Sequence, residues 1–99
     1  MPLINSPRQN ERFRILVIDD EPDIAQSIRS ILEKCHDVDI ITNPREAFDN
    51  FKAGSYDLVL LDYKMPDVNG FQLYRYLKRV DPALTICFMT AYEIFGSKQ

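Results

Sequence analysis

The run Leu58-Val59-Leu60-Leu61-Asp62-Tyr63-Lys64-Met65-Pro66-Asp67-Val68-Asn69-Gly70 joins two segments of opposite character. Leu58 to Leu61 is apolar without polar alternation, which predicts a strand buried on both faces, as in a parallel sheet. Asp62 ends that strand. Tyr63 to Gly70 is rich in turn formers and predicts a loop. A helix then follows, with Phe71, Tyr74 and Leu77 on its apolar face and Leu73 beside them. Asp81-Pro82 breaks that helix, and Leu84 to Met89 predicts the next strand, followed by Thr90.

The same alternation runs upstream. Arg14 to Ile18 is a first strand of the same kind. Asp19, Asp20 and Glu21 lead into Pro22, a helix-start signal, and Asp20 is expected to cap that helix. Ile24, Ile28, Ile31, Leu32 and Cys35 recur at helical spacing and predict one apolar stripe. Val38 to Ile41 predicts the second strand. Asn43, Pro44 and Glu46 predict a second helix, with Asn43 as cap, Pro44 in the first helical position and Glu46 reaching back. Ala47, Phe48 and Phe51 supply its apolar face, and Gly54 its stop. Strand–helix alternation with short connections implies right-handed βαβ units and a doubly wound parallel sheet.

In such a sheet, ligands bind beyond the carboxyl ends of the strands. Three predicted strands end there in polar residues: Ile18 before Asp19 and Asp20, Leu61 before Asp62, and Met89 before Thr90. Three clustered carboxylates repel one another unless a cation lies among them. An oxygen-only donor set suits a hard ion, and Mg²⁺ is the natural choice. A carboxylate beside Mg²⁺ suggests phosphoryl transfer, with Asp as the nucleophile. The plainer alternative is that each acid only caps a helix.

The 99 residues argue for one domain, and 45% hydrophobic content argues for an ordered core. With 12 basic and 15 acidic residues, the net charge of −3 leaves no electrostatic footprint for nucleic acid. No apolar run is long enough to span a membrane. Met1 to Arg12 is polar and lacks the apolar stretch of a signal peptide, which predicts a flexible leader (residues 1–12), a folded unit over 13–99 and a cytoplasmic location. Cys35 and Cys87 form no C-x-x-C pair and are expected to be reduced, partly buried thiols. His36 has no second histidine to share a metal and is expected on an exposed loop. Tyr74, Arg75, Tyr76, Lys78 and Arg79 are expected to form a solvated helix face with Tyr74 turned inward.

Ile15-Leu16-Val17-Ile18-Asp19-Asp20-Glu21-Pro22 resembles the opening of a response-regulator receiver domain of two-component signalling. Asp57 to Gly70 resembles that family's phosphoacceptor segment, and Met89-Thr90-Ala91-Tyr92 the segment after its fourth strand. The resemblance covers nearly all of the chain after residue 12. It implies a flavodoxin-like receiver fold reduced to about four strands and three to four helices. It also implies that Asp62 accepts a phosphoryl group from a sensor histidine kinase or phosphotransfer protein. Asp20, Asp62 and the Lys64 backbone carbonyl would bind Mg²⁺ directly, with Asp19 acting mainly through a water. The Thr90 hydroxyl would bond a phosphoryl oxygen. Lys64 and Tyr92 occupy loop positions that modulate the lifetime of the phosphate, and Met65, Pro66 and Gly70 shape the loop. Ile94 and Phe95 would begin a fourth helix.

The family's fifth strand, with its lysine and switching aromatic, has no counterpart before Gln99, and Lys98 comes too early for that lysine. Two other readings therefore stay open. One is a pseudo-receiver that keeps the fold as an interaction module without a phosphate cycle. The other is a Mg²⁺-dependent phosphatase with an aspartate nucleophile, although such enzymes carry Asp-x-Asp where this chain has Asp19-Asp20-Glu21. Beyond self-phosphorylation and autodephosphorylation, no enzymatic activity is expected. Ile86-Cys87-Phe88-Met89 is apolar on both faces and uncharged, which predicts self-association through an exposed fourth strand.

Overall fold

The computed structural model describes residues 11–89. Its elements in chain order are β1 (Arg14–Ile18), α1 (Pro22–Leu32), β2 (Asp37–Ile41), α2 (Arg45–Asn50), β3 (Leu58–Asp62), β4 (Lys64–Met65), β5 (Val68–Asn69), α3 (Gly70–Val80) and β6 (Thr85–Met89). The main sheet has the order β2-β1-β3-β6, parallel throughout. β4 and β5 form a separate antiparallel ribbon, Lys64 opposite Asn69 and Met65 opposite Val68, so the expected loop after Asp62 is itself folded.

β1 sits in the middle of the sheet, and its apolar run reads accordingly: Ile15, Leu16, Val17 and Ile18 are all buried. Alternate residues serve two layers. Leu16 and Ile18, with Val59 and Leu61 of β3, pack against Ala47 of α2 and Leu73 and Leu77 of α3. Ile15 and Val17 pack with Val38, Ala25, Ile28 and Leu32 on the α1 side. The chain therefore winds to one face from β1 and to the other from β2 and β3. The reversal falls between β1 and β3, whose register pairs Ile18 with Leu61. That reversal is where an open α/β sheet forms its crevice.

Helix faces differ from the expected stripes. Along α1 the inward seam is Ala25, Ile28 and Leu32, while Ile24 is 41% and Ile31 68% exposed. The small Ala25 lets the helix approach the sheet closely, and that orientation turns Ile24 and Ile31 outward. Along α3 the seam is Gly70, Leu73 and Leu77, and Phe71 is 48% exposed. Tyr74 does turn inward, its ring 5.5 Å from Phe88. Tyr76 is not on a solvated face: its hydroxyl donates to the Phe48 carbonyl at 2.9 Å.

Both thiols are exposed rather than partly buried. Cys35 lies past the end of α1, and Cys87 lies on β6, the outer strand of the sheet among the described residues. His36 is half-buried: its Nδ1 accepts the Phe13 N–H at 3.2 Å, with the rings 5.4 Å apart. α2 starts one residue later than expected, at Arg45, with Asn43 Oδ1 accepting the Arg45 N–H at 3.2 Å. Gly54 takes φ +81°, the left-handed region that favours glycine, in the turn beyond α2. Arg12 is held by Asp37 at 3.1 Å and by the His36 carbonyl at 3.1 Å. Thr90, Tyr92, Ile94, Phe95, Lys98 and the first ten residues of the expected leader lie outside the described residues.

Candidate functional site

Asp19 follows β1 directly, and Asp62 closes β3, its neighbour in the sheet. Parallel pairing in register brings both strand ends to the same edge, with Asp20 one residue on. The three carboxylates each offer an oxygen, and those oxygens lie within 4.8 Å of one another. They stand in an open cleft of about 890 Å³ whose lining includes Glu21, Asp67 and Lys64.

Each acid is held differently. Asp19 is buried, at 2% exposure, and is tied at both ends. Its backbone N–H donates to the Ile41 carbonyl at 3.1 Å, and its Oδ1 accepts the Glu21 N–H at 2.9 Å. That second bond braces the turn into α1, so the helix start depends on Asp19. Asp20 is not the cap it was expected to be; Glu21 occupies that position, and Pro22 opens the helix as expected. The Asp20 side chain is left half-exposed at the cleft. Asp62 Oδ1 accepts the Lys64 N–H at 3.1 Å.

The Asp62 carboxyl is pushed up to about 6. Burial is the main cause, and the negative charges of Asp19 and Asp20 add to it, against the lowering effect of the Lys64 N–H. A carboxyl in this position retains its proton more tightly than usual because burial and the neighbouring negative charges both disfavour its ionised form. The donor set is therefore oxygen-only, anionic and electrostatically strained, which fits a hard divalent cation such as Mg²⁺.

The loop beyond Asp62 is shaped by two residues. A Cβ at Gly70 would lie 3.0 Å from the Tyr63 carbonyl oxygen and 3.5 Å from that of Asp62, so only glycine lets α3 begin this close to the end of β3. Asn69 caps α3, its Oδ1 accepting the N–H groups of Phe71 at 2.8 Å and Gln72 at 3.4 Å. The sequence reading passed over this cap, although Asn immediately before a helical period is its usual signal. It also passed over an aromatic cluster: Tyr63 meets Phe71 at 5.5 Å and Phe88 at 5.9 Å, both edge-on. That cluster fastens the residue after Asp62 to α3 and β6, with the Tyr63 N–H donating to the Met89 carbonyl at 3.3 Å. Asp19, Asp20, Asp62 and Lys64 are thus brought together as the sequence predicts, while Thr90 falls just beyond the described residues.

Comparison with known proteins agrees with this arrangement. The family model described as the response regulator receiver domain matches residues 15–95. The transcriptional regulatory protein CiaR of Streptococcus pneumoniae is 31% identical over 86 residues, covering 87% of this chain and 38% of that protein. YkoG of Bacillus subtilis, a transcriptional regulatory protein, is 33% identical over 89 residues, covering 89% of this chain and 39% of that one. The chain spans well under half the length of the curated relatives it matches. Among solved structures, the response regulator TrrA of Thermotoga maritima, in complex with Mg²⁺ and BeF, superposes with a TM-score of 0.72 at 36% identity, over 85% of this chain and 74% of that one. TrrA bound to the histidine kinase ThkA gives a TM-score of 0.70 at 38% identity, over 80% and 69%. Parallel strands carrying three acids to one edge, and a family match across nearly all of the described chain, lead to one assignment: the chain belongs to the response regulator receiver domain family of two-component systems.

Proposed function

We propose that Asp62 is the phosphoacceptor of this receiver domain. The observation that carries the proposal is the convergence of Asp62 with Asp19 and Asp20, oxygens within 4.8 Å, at the crevice of the sheet. Ionised Asp62 attacks phosphorus through a carboxylate oxygen while the bond from phosphorus to the donor breaks. When the donor is a phosphohistidine, the imidazole nitrogen leaves with that electron pair and is then protonated. The Lys64 N–H holds one Asp62 oxygen in place for this step. Asp19, Asp20, Asp62 and the Lys64 backbone carbonyl would hold Mg²⁺, which when bound lowers the repulsion between carboxylate and phosphoryl group. Thr90, the residue after β6, would donate its hydroxyl to a phosphoryl oxygen.

The complex of TrrA with ThkA supports a histidine kinase as the physiological donor, since TrrA is 38% identical to this chain. We place this reaction in the cytoplasm and in one folded unit over residues 13–99. None of the helices among the described residues is long and apolar enough to cross a membrane.

Incubation with acetyl phosphate and Mg²⁺ tests the proposal. Intact-mass analysis should show a single added phosphoryl group, absent from Asp62→Ala. Labelling that persists in Asp62→Ala overturns the assignment, and a parent chain that takes no label supports the pseudo-receiver instead. Turnover of a generic phosphomonoester would favour the phosphatase.

A further inference from the structure

We infer that Asn69-Gly70 is a self-modification site: when the start of α3 opens, Asn69 closes on the Gly70 nitrogen, loses ammonia and becomes aspartate or isoaspartate in the Asp62 loop. This inference is independent of the phosphoacceptor assignment.

The sequence supplies the reactive pair. Asn5, Asn10, Asn43 and Asn50 precede Ser6, Glu11, Pro44 and Phe51, and Asn69 alone precedes a glycine. Glycine has no side chain to shield its amide nitrogen from an approaching carboxamide. Asn69 is exposed, so water and hydroxide reach it. Its Oδ1 accepts the Phe71 N–H at 2.8 Å and the Gln72 N–H at 3.4 Å, while Nδ2, the leaving group, has no hydrogen-bond partner among the described residues.

The fold withholds the reaction by geometry. Asn69 stands at φ −74° and ψ 118°, extended backbone at the entry to α3. Ring closure needs the Gly70 nitrogen to swing beside Cβ of Asn69, which takes ψ out of the extended well into sparsely populated backbone space. The two cap bonds fix the carboxamide on the first turn of α3, and pairing with Lys64 holds the residue from the other side. Reaction therefore waits for that turn to open. Its rate in the folded chain is the rate of the open chain multiplied by the fraction of time spent open.

In the open turn hydroxide takes the Gly70 amide proton, and the nitrogen attacks Asn69 Cγ. The N–Cγ bond forms, the Cγ–Nδ2 bond breaks, and Nδ2 leaves as ammonia with a proton from water. A second water opens the five-membered imide. Cleavage at Cγ gives aspartate, and cleavage at the main-chain carbonyl gives isoaspartate.

The two products differ in consequence. Aspartate keeps an oxygen for the Phe71 and Gln72 N–H groups. Isoaspartate routes the main chain through Cβ and Cγ, adding one carbon before Gly70. Gly70 has no room to take up that carbon, because even a Cβ there would lie 3.0 Å from the Tyr63 carbonyl oxygen. The start of α3 is then displaced from the end of β3.

The test ages the full chain at mildly alkaline pH, folded and in urea. Peptide mapping and labelling with an isoaspartyl methyltransferase locate the products. In urea the peptide holding Asn69 should convert before any other, and in the folded chain it should convert more slowly. Gln72→Gly weakens the first turn without touching the reacting pair. It should speed the folded reaction about two- to fivefold and leave the urea rate unchanged. Arg75→Gly, exposed one turn further along α3, should act in the same direction and serves if Gln72→Gly fails to fold. Ion exchange isolates the products: the aspartate form should melt with Asn69→Asp, and the isoaspartate form below it. Conversion first at another asparagine, a folded chain that converts as fast as in urea or not at all, a folded rate indifferent to both glycine variants, or an isoaspartate form that melts with the parent overturns the inference.

Discussion

In metal-free buffer, Asp62→Asn should stabilise the fold, and only above the acid range. The Asp62 carboxyl rises from 3.8 to about 6, through burial first and then through the charges of Asp19 and Asp20. The folded state thus binds the Asp62 proton more tightly than the unfolded chain. The stability this contributes is complete below about pH 3.8 and is lost as pH rises through about 6. A displacement of that size corresponds to at most about 3 kcal/mol. Asp62 is only half-buried, and screening by water reduces the effect to about 1 kcal/mol. Asn keeps the shape of the side chain and an oxygen for the Lys64 N–H, but carries no charge.

The variant should therefore be about 1 kcal/mol more stable than the parent near pH 7.5, and equal to it near pH 3.5. For a domain of this size, 1 kcal/mol moves Tm by about 4–8 °C. Thermal melts followed by circular dichroism in EDTA, across that range, read the difference directly. Millimolar Mg²⁺ should reverse the order, because an ion that binds only the folded state stabilises it by mass action and Asn offers a poorer ligand. An advantage of the same size at both pH values refutes its electrostatic origin. A variant less stable than the parent near pH 7.5 refutes the reasoning altogether.

Gly70→Ala forces a methyl group to 3.0 Å from the Tyr63 carbonyl, and backbone cannot yield cheaply there. It should cost about 1–3 kcal/mol in urea melts and weaken the Mg²⁺ response together with stability, since the displaced atoms belong to the Asp62 loop. Asn69→Ala removes the acceptor for the Phe71 and Gln72 N–H groups and should cost about 0.5–2 kcal/mol, with Asn69→Asp largely restoring it in the same assay.

The strands were legible in the sequence because burial on both faces leaves an unmistakable apolar run. Arg14–Ile18 and Leu58–Asp62 begin and end where that pattern does. The strand ends located the acids for the same reason. Helix faces were less legible. Periodicity finds a stripe but not its centre when large and small apolar residues flank one another, and α1 turns on Ala25 although Ile24 and Ile31 are larger. Cys87 was misjudged because β6 lies at the margin of the sheet among the described residues, a position that its apolar composition does not report. The β4–β5 ribbon was read as loop because two-residue strands are too short to alternate. The aromatic cluster joins Tyr63, Phe71, Tyr74 and Phe88, which meet only after α3 folds back over β3 and β6.

The site's electrostatics depend on one asymmetry. Asp19 is the most buried of the three acids, while Asp62 stands half-buried at the cleft with its carboxyl pushed up to about 6. Asp19 has the Glu21 N–H as a fixed donor and uses it to start α1, so its environment is built to hold it in place. Asp62 also has a backbone donor, from Lys64, but burial outweighs the effect of that bond, and the charges of Asp19 and Asp20 add to burial. Strain is thus concentrated on the residue that ends the strand and faces the cleft. A cation beside Asp62 relieves that strain, whereas a change at Asp19 would also disturb the turn into α1. The phosphoacceptor role proposed for Asp62 fits this arrangement, because charge can change there without unfolding the turn that Asp19 holds.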